Sequence, residues 1–177
     1  MIRPGIAPVI VIVGRPNVGK STLFNRLVGR RQALVRDVPG VTRDRLYGRV
    51  SFERWQATVV DTGGFDPTSH ETLVEGVRRQ VLVAVDEADL VVFVVDGRTG
   101  ATPLDAEIAT ILRKIDRPVV LVANKVEAQN QESGLGELWA LGFGEPVAVS
   151  AEHGRGVGEM LERLRERAPA PAGRPAA

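Results

Sequence analysis

The sequence predicts an α/β fold, with a mostly parallel six-stranded sheet, one antiparallel strand and helices on both faces. Short apolar runs rich in valine and isoleucine alternate with segments whose apolar residues recur at helical spacing. Two of these runs, 46–52 and 56–60, are separated by a tight turn, so they form a hairpin that supplies the antiparallel strand. In such a sheet, the loops that bind ligands follow the carboxyl ends of the strands.

The elements follow in order from these patterns. Strands are expected at the apolar runs 8–13, 46–52, 56–60, 90–95, 118–123 and 146–149. Helices are expected over 21–28, 70–87 and 131–141, from Thr102-Pro103 onward with an apolar stripe reaching Ile115, and around Val157, Met160, Leu161 and Leu164. Gly142 is expected to end the helix over 131–141. The segments 29–45 and 61–69 lack clear periodicity and are predicted to be functional loops.

Length and composition indicate one soluble globular domain over residues 1–167. The alanine- and proline-rich segment 168–177 cannot build a core, so we expect a linker that leads to further domains. The net charge of +1 gives no argument for nucleic-acid binding, and the lack of cysteine excludes disulfides, zinc–thiolate sites and a cysteine nucleophile. Because no apolar run is long enough to span a bilayer, we expect a cytoplasmic protein without a membrane partner.

A phosphate-binding P-loop is predicted between the first strand and the first helix, at Gly14-Arg15-Pro16-Asn17-Val18-Gly19-Lys20-Ser21. Its glycines let backbone N–H groups face the phosphates, and the helix N-terminus adds a positive partial charge. Lys20 would reach the β- and γ-phosphates, and the Ser21 hydroxyl would bind Mg²⁺. The nucleotide-binding residues expected here are Gly14, Asn17, Val18, Gly19, Lys20, Ser21 and Thr22. The alternative is a glycine-rich turn without a ligand, and the motif alone does not choose between GTP and ATP.

Two loops further along the chain are expected to complete the phosphate end of the site. In Asp61-Thr62-Gly63-Gly64, the carboxylate of Asp61 would hold Mg²⁺ and the backbone N–H of Gly64 would approach the γ-phosphate. Thr42, in the long loop, would complete the Mg²⁺ shell through its hydroxyl; the alternative is a solvated turn threonine. The expected catalytic residues are Lys20, Thr42 and Gly64, and the expected Mg²⁺ ligands are Ser21, Thr42 and Asp61.

The base end is predicted from two later motifs. Asn124-Lys125-Val126-Glu127 resembles the guanine-recognition motif of GTPases, in which a carboxylate accepts from the guanine N1–H and N2–H₂ groups. Glu127 stands where aspartate is usual, and adenine offers no matching pair of donors. The Lys125 stem would cover the base. Ser150-Ala151 resembles the loop that supports guanine O6 through the backbone N–H of its alanine.

Taken together, these motifs resemble the Der family of bacterial GTPases, over about residues 8–167. The resemblance rests on the P-loop, on Pro39-Gly40-Val41-Thr42-Arg43-Asp44-Arg45 and on Asp61-Thr62-Gly63-Gly64. It implies a P-loop GTPase fold, with GTP or GDP and Mg²⁺ as ligands and GTP hydrolysis as the activity. It also implies a first G domain, followed in cis by a second G domain and a KH-like domain, that acts in assembly of the large ribosomal subunit. The single G domain is expected to be monomeric.

Two residues bear on the rate of hydrolysis. Phe65 stands where many small GTPases place glutamine; it is interpreted as a packed switch-loop residue, with the Thr42 backbone positioning the water. Asn17 matches a P-loop asparagine that in related GTPases holds K⁺, and the alternative is a polar turn residue. We therefore expect slow intrinsic hydrolysis that K⁺ stimulates. The competing interpretations are a nucleotide-binding regulatory module with little hydrolysis and an ATP-using enzyme, which Glu127 disfavours.

The remaining polar residues receive structural interpretations. A group of arginines around the long loop is expected to be a solvated face, with contact to RNA or a partner domain as the alternative: Arg26, Arg30, Arg31, Arg36, Arg43 and Arg45. His70 is expected to be solvated or to cap a helix, and His153 to lie at the edge of the base.

Overall fold

The computed structural model describes residues 7–29, 34–35, 45–62 and 71–169. Within these residues one sheet contains the strands β1 (Val9–Val13), β2 (Leu34–Val35), β3 (Leu46–Phe52), β4 (Trp55–Asp61), β5 (Leu90–Asp96), β6 (Val119–Asn124) and β7 (Val147–Ala148). The helices are α1 (Lys20–Val28), α2 (Leu73–Glu87), α3 (Pro103–Leu112) and α4 (Val157–Arg167), with a 3₁₀-helix over Gln129–Leu141. The strand order across the sheet is β2-β3-β4-β1-β5-β6-β7.

The prediction of a mostly parallel sheet with one antiparallel strand is confirmed, and all six predicted strands are present. β3 pairs antiparallel with β4, and the other long strands pair in parallel. β2 pairs antiparallel with β3, so β3 alone runs against the other strands that the structure describes. The two-residue β2 lies in the segment predicted as a loop and adds a strand to the predicted six, because two residues are too few to give a strand pattern.

Helices cover both faces of the sheet, as predicted, because successive residues of each strand point to opposite sides. In β1, Val11 and Val13 pack with the core under α2 and α3, whereas Ile10 and Ile12 pack with the core under α1 and α4. Every residue of β5 and β6 is buried, as expected for parallel strands covered on both faces.

The carboxyl ends of four strands meet at one edge of the sheet, because β1 lies between β4 and β5. Ile12 of β1 pairs with Asp61 of β4, and Asp96 of β5 pairs with Asn124 of β6. The loop that follows β1 is the predicted P-loop. This edge therefore brings segments that are far apart in the sequence to a common site.

The helix predicted over 131–141 is present as a 3₁₀-helix over Gln129–Leu141, a type that the prediction did not specify. Two glycines within it, Gly134 and Gly136, disfavour an α-helix. Its buried leucines, Leu135, Leu138 and Leu141, recur every three residues, which is the 3₁₀ period. The predicted end at Gly142 is confirmed, since that residue has φ 94° and lies in the left-handed region.

Helix boundaries otherwise follow capping chemistry. α3 begins at Pro103 and ends at Leu112, so Ile115 lies beyond it in a turn while still packing against the core. α2 begins at Leu73, after Thr72, whose hydroxyl accepts from the Glu75 N–H at 3.2 Å. The predicted start at residue 70 is too early, because residues 71 and 72 are described and precede the helix, whereas the linker from 170 onward falls outside the described residues. Across the described ranges, none of the helices has both the length and the apolar character needed to cross a membrane.

Candidate functional site

The loop after β1 has the backbone geometry that a phosphate-binding loop requires. Gly19 has φ 95°, and a Cβ at this position would overlap the side-chain nitrogen of Asn124. A Cβ at Gly14 would lie 2.6 Å from the carbonyl oxygen of Val94 in β5. Both glycines are therefore required by close approach of neighbouring segments. α1 starts directly after the loop, and its first-turn N–H groups at Lys20, Ser21 and Thr22 have no acceptor within the helix.

The side chain of Lys20 is buried inside this loop. Its Nζ donates to the carbonyl oxygen of Gly14 at 2.6 Å, and the residue is only 9% exposed. Burial lowers the pKa of Lys20 below its ordinary value of 10.5, and the nearby carboxylate of Asp61 offsets only part of that effect. A desolvated ammonium next to the N-terminus of a helix is an arrangement that favours a polyanionic ligand.

Ser21 and Asp61, the two predicted Mg²⁺ ligands within the described residues, are in contact. The Ser21 hydroxyl donates to Asp61 Oδ2 at 3.1 Å, and Asp61 is 1% exposed at the end of β4. A hydroxyl and a carboxylate side by side are the hard oxygen donors that Mg²⁺ prefers, so the donor set fits this ion. The neighbouring Thr62 is held in place because its hydroxyl donates to the carbonyl oxygen of Ile12 at 3.0 Å.

Asn124 joins the P-loop to the loop that follows β7. Its Nδ2 donates to the carbonyl oxygen of Val18 at 2.9 Å, and its Oδ1 accepts from the Ala151 N–H at 3.0 Å. Asn124, Ser150 and Ala151 are all buried, so these bonds are shielded from water. The Ala151 N–H that was expected to reach guanine O6 is the donor in the second bond, and its contact with a base stays a prediction.

Lys125 makes a second connection to the P-loop. Its Nζ donates to the carbonyl oxygen of Asn17 at 2.7 Å and lies 3.4 Å from Asp96 Oδ2. Asn17 and Lys125 both have positive φ, 68° and 67°, which fixes the turn at each contact. Burial alone would raise the pKa of Asp96, but hydrogen bonds from Arg98 and the charge of Lys125 hold that pKa below its ordinary value. Sequence reasoning missed Asp96, although it ends a strand that faces the site.

The backbone before the 3₁₀-helix orients Glu127. Gln131 Oε1 accepts from the N–H of Glu127 at 2.7 Å and from that of Ala128 at 3.3 Å. The Glu127 side chain is 54% exposed, and His153 Nε2 lies 3.6 Å from its Oε1. Glu127 is thus held at the edge of the candidate site with its carboxylate accessible. His153 lies next to Glu127, at the same edge.

The interpretation of six arginines as a solvated face is wrong for Arg45, which is buried, whereas Arg26 is exposed as expected but also bonds to the chain. Arg45 is 6% exposed, and its Nη1 lies 2.6 Å from Glu87 Oε1. Arg26 donates to the carbonyl oxygens of Ala151 and Glu152. Composition suggests a basic surface here, but only the fold brings Glu87 and the loop after β7 next to these side chains. The other four arginines of the group lie outside the described residues.

Several predicted site residues also fall outside the described residues and stay predictions: Thr42, Gly63, Gly64, Phe65 and His70. The structure therefore brings together the P-loop, Asp61, Asn124, Lys125, Glu127, Ser150 and Ala151, from the ends of β1, β4, β6 and β7. It combines a glycine-containing loop of P-loop sequence at the start of α1 with a second segment that carries an accessible carboxylate.

Comparison with known proteins matches the site region directly. A family model described as a 50S ribosome-binding GTPase matches residues 9–125, from β1 through the P-loop to Lys125. The chain belongs to this family. The match includes Lys20, Asp61 and Asn124, which are the centres of the contacts described above.

Similar proteins agree with this family. The chain is 48% identical over 159 residues to GTPase Der of Clostridium kluyveri, covering 90% of this chain and 36% of that protein. It is 50% identical over 157 residues to GTPase Der of Geotalea daltonii, covering 89% and 36%. The resemblance to Der inferred from the motifs is thereby confirmed. The chain spans about a third of the length of these relatives.

Solved structures support the fold. A variant of Aquifex aeolicus Era bound to GDP·AlF₄⁻ aligns with a TM-score of 0.73 and 29% identity, over 97% of this chain and 59% of that chain. Era in complex with MgGDPNP and part of 16S ribosomal RNA aligns equally well. A probable GTP-binding protein, engB, aligns with a TM-score of 0.62 and 26% identity, over 89% and 97%. The predicted P-loop GTPase fold is confirmed.

Proposed function

We propose that this chain is a G domain that binds GTP and GDP and hydrolyses GTP slowly. One observation carries the proposal. The buried amide of Asn124 bonds the P-loop carbonyl of Val18 and the Ala151 N–H at once, so the loop after β1 and the loop after β7 are held together, which supports one nucleotide bound by both. Era, a structural neighbour at 29% identity, has been solved with MgGDPNP, which supports a guanine nucleotide with Mg²⁺ as the ligand.

The phosphate end of the site accounts for the chemistry. Lys20 and the first-turn amides of α1 would neutralise the charge that develops on the transferred phosphoryl group. Ser21 and Asp61 would hold Mg²⁺, which supplies charge stabilisation when bound. Thr42 and Gly64 are proposed to complete the site around the γ-phosphate and the attacking water.

The base end accounts for the choice of guanine. Glu127 would accept from guanine N1–H and N2–H₂, with its backbone fixed by Gln131 and its carboxylate accessible. Lys125 would cover the base, since its ammonium is anchored between Asn17 and Asp96. Adenine lacks the two donors, so discrimination against ATP follows from one carboxylate.

The first experiment measures phosphate release from GTP and from ATP with Mg²⁺, in KCl and in NaCl of equal ionic strength. We expect release from GTP alone, faster in K⁺. Ser21→Ala should lower kcat on the order of 100-fold, because it removes one of the proposed Mg²⁺ ligands. Ser51→Ala, on the exposed side of β3, is the matched control and should not change the rate. Release from ATP at an equal rate would overturn the proposal.

The role of K⁺ is tested in the same assay. We propose that Asn17 helps to hold K⁺ against the phosphates. Asn17→Gly keeps the positive φ of 68° accessible and should abolish the difference between KCl and NaCl. Asn25→Ala, at an exposed position of α1, should preserve that difference. Equal rates in both salts for the unmodified chain would exclude K⁺ stimulation.

A second candidate function is a regulatory module that holds nucleotide with little hydrolysis, which Phe65 in place of glutamine favours. Tight GDP binding without phosphate release would support it.

For the longer protein we propose a role in large ribosomal subunit assembly, since the matched relatives are GTPase Der and the family model describes 50S ribosome binding. We also propose that this domain is followed in cis by a second G domain and a KH-like domain. The protein is proposed to be cytoplasmic, and this domain to be monomeric. The domain assignment, with residues 1–167 as the G domain and 168–177 as the linker, is also proposed.

A further inference from the structure

Arg26 of α1 reaches across to the loop that carries Ala151. Its Nε donates to the carbonyl oxygen of Ala151 at 2.9 Å, and its Nη2 donates to that of Glu152 at 2.6 Å. A guanidinium presents these two donors in a fixed planar fork, so both bonds form together only when the two carbonyls have one orientation. The contact spans 125 residues of sequence and joins an exposed position of α1 to the base end of the site.

The loop closes on itself but leaves these two carbonyls to Arg26. The Ser150 N–H donates to the carbonyl oxygen of Arg155 at 2.8 Å, and the Gly154 N–H donates to that of Ser150 at 2.7 Å. The loop is therefore a tight turn whose internal bonds use the carbonyl of Ser150. The carbonyls of Ala151 and Glu152 are oriented towards α1, where the arginine is their donor.

Asn124 and Arg26 hold this loop from two sides. Asn124 Oδ1 accepts from the N–H of Ala151, and Arg26 donates to the carbonyl of the same residue. The first bond ties the loop to the P-loop, and the second ties it to the helix that begins with Lys20 and Ser21. Because α1 carries the phosphate-binding amides at its start, its second turn fixes the distance between the phosphate end and the base end.

We propose that Arg26 is a positioning residue that sets the affinity for the guanine base by holding the Ala151–Glu152 backbone against α1. This inference rests on the proposed function, because it assumes that the loop after β7 contacts a base. Within the described part of the chain, the hydrogen bonds of Arg26 go to this loop and not to the phosphate-binding residues or Glu127. Arg26 therefore acts through the loop.

The proposal predicts that loss of the Arg26 contacts changes KM for GTP and does not change kcat. Contacts to the base are the same in bound GTP and in the transition state, so weakening them raises KM and leaves kcat unchanged. Arg26→Met keeps an apolar stem and loses both donors, so KM for GTP should rise roughly tenfold. Arg26→Lys keeps one charged donor without the fork, and we expect an intermediate KM. Ser21→Ala, at the phosphate end, should instead lower kcat.

Arg163→Met is the matched control, since it also removes a helical arginine, here a partly exposed one, that donates to a loop carbonyl. Arg163 Nη1 donates to the carbonyl oxygen of Glu145 at 3.1 Å, at the other end of β7 from the base loop. This variant should match Arg26→Met in thermal stability and keep the original KM. Hydrogen exchange of residues 150–155 in the nucleotide-free chain gives a readout without GTP: Arg26→Met should accelerate it and Arg163→Met should not.

The outcomes separate the inference from the proposed function. Unchanged KM and unchanged exchange of 150–155 in Arg26→Met, with the original chain hydrolysing GTP, would overturn the role of Arg26 alone. A loss of kcat at constant KM would also overturn it. An original chain that binds GDP no better than ADP would overturn the proposed function and the role of Arg26 with it.

Discussion

Gly19, in the loop after β1, lies directly against the side-chain amide of Asn124 at the end of β6. Its φ of 95° is poorly accessible to other residues, and a Cβ there would overlap the Asn124 amide. A single methyl group at this position therefore disturbs the backbone and the hydrogen bond from Asn124 to Val18 at the same time.

We expect Gly19→Ala to lower GDP affinity on the order of 100-fold and to destabilise the chain by about 2 kcal/mol. Calorimetric titration with GDP and urea unfolding measure the two effects. Gly158→Ala is the control, because Gly158 lies within α4, where an added methyl group would have no other atom within 4 Å, and it should gain up to about 1 kcal/mol. Undiminished GDP binding by Gly19→Ala would contradict the close approach at this position.

At the scale of single residues, local motifs predicted which segments come into contact better than charge predicted which arginines face solvent. The P-loop and the Asn124 motif are contiguous patterns whose chemistry can be worked out from their own letters. The partners of Arg26 and Arg45 lie 125 and 42 residues away, so only the tertiary fold selects them. Asp96 was missed for the same reason, since its importance comes from the approach of Lys125.

Among the helices, α3 contacts the loop after β1 through a residue of its first turn, Asp105. Asp105 is fully buried; its Oδ2 accepts from the N–H and the hydroxyl of Thr102, each at 2.9 Å. Its Oδ1 lies 3.5 Å from Nε of the P-loop residue Arg15. The same carboxylate thus caps the helix and faces a half-buried guanidinium, whereas the corresponding Glu75 in α2 caps an exposed turn.

Asp105→Ala should lower the free energy of unfolding by about 3 kcal/mol, because it removes the cap and leaves the charge of Arg15 without its buried partner. Glu75→Ala, at the same position of the exposed capping box, should cost at most about 1 kcal/mol. Urea unfolding of both variants measures the difference. Equal losses would mean that burial of Asp105 contributes nothing beyond capping.

At the scale of secondary-structure elements, the 3₁₀-helix shows what the sequence pattern could predict and what it could not. Apolar spacing predicted a helix over this segment and Gly142 predicted its end, and both inferences hold. The type of helix depends on Gly134, Gly136 and the three-residue leucine spacing, which a pattern search for 3.6-residue periodicity does not weigh. The two-residue strand β2 was not predicted for a related reason, since it is defined only by its pairing with β3.

For the whole molecule, the strand order decides which loops meet. The alternation of strands and helices predicted a parallel sheet, and the general rule for such sheets predicted a site at its carboxyl edge. The sequence does not say that β1 lies between β4 and β5, yet this arrangement puts Asp61 beside the P-loop. Ligand binding at this junction should therefore stabilise both halves of the sheet together.

GDP with Mg²⁺ at about 100 times its Kd should add roughly 2.7 kcal/mol to the free energy of unfolding, or on the order of 5–10 °C in Tm. ADP at the same concentration should add nothing measurable, because Glu127 finds no pair of donors on adenine. Thermal unfolding followed by circular dichroism measures both. An equal rise with the two nucleotides would mean that the phosphates alone account for binding.

Both edges of the described sheet are strands of only two residues, Leu34–Val35 and Val147–Ala148. Such short edges offer another chain few backbone groups for pairing. The interior strands have the opposite character: β5 reads LVVFVVD and β6 reads VVLVAN, which are uncharged or nearly uncharged segments of the kind that stack into fibrils. Native packing therefore keeps the segments with the highest tendency to aggregate in the middle of the sheet, and unfolding would expose them.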